Sequence, residues 1–124
     1  MSEADDLLAQ ARIRLREAEA LAEAGLFDGA VSRAYYAAFA AARAMLASDG
    51  IRAKTHRGVI QQFGKAFVQS GAVEVRVGRA LAQLHRKREL ADYGTGHALT
   101  RPEAEIAVAL ASELISVAEQ FVKP

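Results

Sequence analysis

The residues with the greatest chemical reach lie in the stretch Leu84-His85-Arg86-Lys87-Arg88-Glu89-Leu90-Ala91-Asp92-Tyr93. A helical period sends Val77, Leu81, Leu84, Arg88 and Ala91 down one side. All but Arg88 are apolar, and Arg88 carries a permanent charge. An unpaired guanidinium is costly to bury, so Arg88 calls for a carboxylate partner or a wet cleft. In one reading the charge marks a site for an anion. In the other it pairs with a nearby acid and only locks helices together.

Two further clusters carry polar chemistry. Lys54-Thr55-His56-Arg57 sits at a helix start, where backbone N–H groups point outward and favour anions. Lys54, His56 and Arg57 make it a candidate phosphate site, or an ordinary cap flanked by solvated bases. Ser32-Arg33-Ala34-Tyr35-Tyr36-Ala37-Ala38-Phe39 joins an arginine to paired aromatics. Arg33 or Tyr36 would reach the cleft beside Arg88; the plainer expectation is core packing with a satisfied tyrosine hydroxyl. The histidines His56, His85 and His97 show no ligand spacing, so neither a metal nor another cofactor is expected. The chain lacks a Walker loop, a dinucleotide glycine fingerprint and a nucleophile elbow.

Helices must position these groups. Half the chain is apolar (52%), rich in Ala, Leu and Val, with no Trp, a composition that favours close-packed helices. Without Cys there is no disulfide or thiolate chemistry. The acidic start Met1-Ser2-Glu3-Ala4-Asp5-Asp6 does not resemble a targeting peptide, and no apolar run reaches membrane-spanning length. A cytoplasmic protein of one domain over residues 1–124 is expected. The net charge of +1 hides an asymmetry: from Arg52 to Arg88 only Glu74 is acidic, between acidic ends. A basic middle suits phosphate, though opposite charges can also pair across helices.

The periodicity predicts five helices. The first runs from about Glu3 to Ala24 and stops at Gly25. The second, capped by Asp28, carries Val31, Tyr35, Ala38, Ala42 and Met45 on one face and ends at Asp49-Gly50. Its Ala37, Ala40, Ala41 and Ala44 would serve a close contact inside the chain or a dimer seam. The third, capped by Thr55, holds Val59, Ile60, Phe63 and Phe67 and ends at Ser70-Gly71. The fourth spans about Val73 to Asp92. The fifth opens with Thr100-Arg101-Pro102-Glu103, a capping-box spacing with proline in the first turn. Short connections imply an all-α, up-and-down antiparallel bundle of about five helices.

Ser32 to Phe39, Lys54-Thr55-His56-Arg57-Gly58-Val59-Ile60 and Arg88-Glu89-Leu90-Ala91-Asp92-Tyr93-Gly94 together resemble the HEPN domain family (higher eukaryotes and prokaryotes nucleotide-binding). The likeness is to its small prokaryotic branch, over roughly Ala30 to Glu103. It implies an all-α bundle, usually a homodimer, often encoded beside a minimal nucleotidyltransferase as a toxin–antitoxin pair. Many relatives are metal-independent ribonucleases with an Arg-x4-6-His motif; others bind nucleotides or are catalytically silent. Here Arg88 matches the motif arginine, and Tyr93 stands where histidine would be. Arg79 and His85 have the literal spacing, but inside one helix they point roughly 120° apart.

The resemblance therefore carries the ribonuclease role to Arg88, and onward to Asp92 and Tyr93. His97, in the loop after Tyr93, or His56 would supply the base. Arg33, Tyr36, Lys54, His56 and Arg57 are the candidate phosphate or nucleotide ligands. By the same resemblance, a nucleotidyltransferase partner would attach nucleotide to Tyr93, placing negative charge beside Arg88. The alternatives are a non-catalytic nucleotide- or phosphate-binding module and a structural interaction domain.

Overall fold

A computed structural model describes residues 2–93 and 98–122. Helices α1 (Glu3–Glu23), α2 (Phe27–Ser48), α3 (His56–Phe63), α4 (Val75–Tyr93) and α5 (Arg101–Phe121) follow one another, with no strand among the described residues. A π-helical turn, Gly64–Val68, continues α3. The bundle expected from periodicity is present.

Caps explain several boundaries. Ser2 and Asp5 form a capping box at the start of α1, and Thr100 and Glu103 form one at the start of α5. The Thr55 hydroxyl accepts from the Gly58 amide at 2.9 Å. A Cβ at Gly58 would come within 2.7 Å of that hydroxyl oxygen, so glycine here makes room for the cap. Asp28 departs from expectation. The N-cap of α2 is Leu26, with no side-chain cap, and Asp28 lies inside the first turn. Its carboxylate instead accepts from the Leu99 amide at 2.9 Å and ties the entry of α5 to the start of α2. The third helix also differs, since the Gln69 amide bonds to the Gly64 carbonyl five residues back. Phe63 and Phe67 at this turn are both buried, with ring centres 5.4 Å apart.

The larger surprise is α2. Its sequence suggested one core face, yet burial continues almost all round, from Ala30 to Leu46. It is the central helix, packed by α1, α3, α4 and α5. Ala37, Ala40, Ala41 and Ala44 are all buried within the protomer. Their small side chains let neighbouring helices close in on α2 inside one chain, so this alanine surface supplies no dimer seam. No described helix is long and apolar enough to cross a membrane.

Candidate anion site at Arg88

The apolar stripe of α4 buries Val77, Leu81 and Leu84, and Arg88 with them at 6% exposure. It is the one buried charged residue among those described. The helix puts Arg88 against the aromatic segment of α2: its Cζ lies 5.4 Å from the Tyr35 ring centre and 5.6 Å from that of Tyr36. Both rings offer their π-faces to the cation. One turn further along, Asp92 Oδ2 accepts from Arg88 Nη1 at 3.2 Å. Arg88 Nε is buried with no acceptor. Burial works against the charge, but the Asp92 hydrogen bond and the nearby Tyr36, Asp92 and Tyr35 outweigh it, leaving the pKa raised.

Two imidazoles complete the cluster. His56, the first residue of α3, stacks on His85 of α4 with ring centres 5.3 Å apart and planes 12° apart. Tyr35 lies 5.2 Å from His85, and Phe39 lies 4.6 Å from His56. The Tyr35 hydroxyl and His56 Nδ1 are 2.7 Å apart. Tyr35 is fully buried, so its O–H must find an acceptor here, and the Nδ1 lone pair is that acceptor. Desolvation pushes the Tyr35 hydroxyl well above its ordinary pKa, which keeps the proton on oxygen. Burial, with the nearby charge of Arg88 and that of His85 whenever it is protonated, pulls His56 below its ordinary value. His56 is therefore a neutral imidazole with its proton on Nε2. His85 Nε2 faces Glu89 Oε1 at 3.8 Å, while its Nδ1 is buried without a partner.

Not every residue named from sequence joins this cluster. Tyr36, His56, Arg88 and Asp92 come together. Arg33 lies apart, 3.6 Å from Glu17 Oε1, and Lys54 and Arg57, which flank His56 in the sequence, are both exposed. Tyr93 is the last residue of α4. His97 lies outside the described residues. Sequence reasoning missed His85 as a member, although its three-residue offset from Arg88 makes the two neighbours on a helix surface. It also left Tyr35 to the core, and Tyr35 is both buried and the partner of His56.

The basic middle is partly neutralised by α5. Arg76 bonds Glu113, and Lys87 Nζ lies 3.8 Å from Glu103 Oε2. No group of three or more His, Asp or Glu able to hold a metal occurs among the described residues. The cluster thus holds an unpaired guanidinium N–H at Arg88 Nε beside two stacked imidazoles, groups whose chemistry suits an oxyanion and proton transfer.

Comparison with known proteins agrees with this architecture. The model of the HEPN domain matches residues 4–121. UPF0332 protein glr0978 of Gloeobacter violaceus is 34% identical over 120 residues, 96% of this chain and 95% of that one. A Methanocaldococcus jannaschii protein named as a candidate toxin, MJ0605, is 39% identical over 116 residues, 94% of this chain and 81% of its own length. The crystal structure of TT1696 from Thermus thermophilus superposes with a TM-score of 0.83 at 26% identity, covering 98% of this chain and 100% of that one.

Proposed function

This chain belongs to the HEPN domain family, and we propose that it is a toxin-like member that cleaves RNA at the Arg88 cluster. The observation that carries the reading is the unpartnered Nε of a 6% exposed arginine beside two stacked imidazoles. A buried donor without an acceptor is a standing cost that a phosphate oxygen removes. The name borne by the Methanocaldococcus relative supports the toxin half of the proposal.

The chemistry follows from the geometry. The RNA 2′-oxygen attacks the adjoining phosphorus, and its proton passes to His85 Nε2. Glu89 Oε1 stands 3.8 Å from that nitrogen. Arg88 holds the charge that builds on the phosphorane oxygens, and the His56 Nε2–H donates to the same group. The bond to the 5′-oxygen then breaks, and that oxygen takes the proton back from His85. The products are a 2′,3′-cyclic phosphate and a free 5′-hydroxyl. A minimal nucleotidyltransferase is the proposed partner, with Tyr93 the nucleotide acceptor, and the working unit is a homodimer.

Purified protein should cut RNA in excess chelator, and Arg88→Ala should abolish cutting with an unchanged circular dichroism spectrum. Equal activity in the variant removes Arg88 from the mechanism. The second reading is a non-catalytic phosphate- or nucleotide-binding module. It is favoured by the low exposure of Arg88, which leaves little room for a reacting strand. Wild-type binding without cutting selects that reading. Incubation with a minimal nucleotidyltransferase, ATP and magnesium, then peptide mass spectrometry, tests Tyr93. Undiminished labelling of Tyr93→Phe would reject it.

A further inference from the structure

Beside the Arg88 cluster runs an open groove of about 430 Å³ between α1 and α2, lined by Arg14, Arg33, Arg43, Tyr36 and Phe39 among others. We propose that this groove is a track for single-stranded RNA that delivers a phosphodiester to Arg88, an inference that rests on the RNA-cleavage reading.

The two sites share a wall. Tyr36 lines the groove and also lies 5.6 Å from Arg88 Cζ. Phe39 stands 4.6 Å from the His56 ring and 5.9 Å from Arg43 Cζ. Both rings are only half-buried, so part of each is open to a base. Three guanidiniums with two aromatic rings are the elements of sequence-tolerant strand binding: charge follows the backbone, and rings stack unpaired bases. A duplex keeps its bases stacked inside, so the rings select a single strand.

Glu17 is the one acid paired with these arginines among the described contacts. Its Oε1 lies 2.8 Å from Arg14 Nη1 and 3.6 Å from Arg33 Nε. All three side chains keep a third or more of their surface exposed, at 34% for Arg14, 48% for Arg33 and 41% for Glu17. A phosphate can therefore replace the carboxylate at little cost, because exposed ion pairs are weak.

The test uses the full chain and a fluorescent, unstructured 2′-O-methyl pyrimidine RNA, whose blocked 2′-oxygen prevents cutting. Anisotropy across a salt series should show Arg14→Ala/Arg43→Ala binding at least about tenfold more weakly. Its log–log salt slope should be shallower by about 1.4, at about 0.7 per lost phosphate contact on a single strand. Phe39→Leu should weaken binding with the slope unchanged. Glu17→Gln should bind more tightly, a gain that a folding defect does not produce. A duplex of equal length should bind more weakly than the strand. An unchanged slope in the double variant, no gain in Glu17→Gln, or equal binding of duplex each overturns the track. Strand binding as described with no cutting of ordinary RNA refutes the cleavage reading alone. Cutting with an unaltered KM in the double variant refutes the track alone.

Discussion

The two ends of α4 use arginine in opposite ways. Near its start, Arg76 makes a two-pronged pair with Glu113 of α5, at 3.0 and 2.6 Å. Both side chains stay open to water, at 56% and 37% exposure. Near its end, Arg88 has one 3.2 Å bond to Asp92, and its side chain is only 8% exposed. The better geometry is at the surface, where screening makes it worth little. The poorer geometry is in the interior, where each unmet hydrogen bond is costly. A protein that needed Arg88 only for cohesion would gain by an apolar residue there. Incomplete pairing at depth is the contrast on which the proposed site rests.

The sharpest way to break this comparison is Arg88→Met. An apolar side chain of similar length removes the buried charge, so the melting temperature should hold or rise. RNA cleavage should fall at least about 100-fold, the scale of losing one donor to transition-state charge. An unfolded variant would make Arg88 a clasp after all.

Asp92→Ala comes next. Removing one partner of a fully buried pair costs about 3–5 kcal/mol. Asp92 keeps 30% of its side chain exposed, so water replaces part of the interaction and about 1–2 kcal/mol is expected. Urea unfolding measures it; no loss would mean that the tyrosine rings alone hold Arg88.

A smaller effect concerns pH. The folded pKa of His56 lies below its ordinary 6.5. Between the two values the unfolded chain binds more protons, so stability rises with pH through that window. The contribution is complete above about pH 6.5 and is lost as pH falls through the folded pKa. Melting temperature should drop more steeply from about pH 7 to about pH 5 in wild type than in His56→Gln. Parallel profiles would show that neither burial nor the nearby charges depress His56.

Arg76→Ala should do least. Its pair is solvated, so the melting temperature should stay within replicate scatter in moderate salt and RNA cleavage should be unchanged. A large drop would place cohesion at the well-paired end and weaken the contrast with Arg88.

Much of the architecture was legible because it is local. The capping box at Thr100 needs only residues three apart. Arg88 showed itself as a charge in an apolar period, and the structure buries it. Asp28 misled for the complementary reason. Its residue type and position fit a cap, but the Leu99 amide, 71 residues away, competes for the carboxylate and wins it.

The sequence by itself determined the helices, most of their ends and the charge that has to be answered at Arg88. These follow from periodicity and hydrogen bonds within a turn or two. Tertiary structure alone decided what answers that charge. It made α2 the central helix and spent its alanines inside the protomer. It joined the Tyr35 hydroxyl to His56, 21 residues on, and stacked His56 against His85 of another helix. It also drew Arg14 of α1 and Arg43 of α2 to one groove. Each of these depends on how helices rotate and approach one another. That choice is made by the packing of whole faces, and no local spacing encodes it.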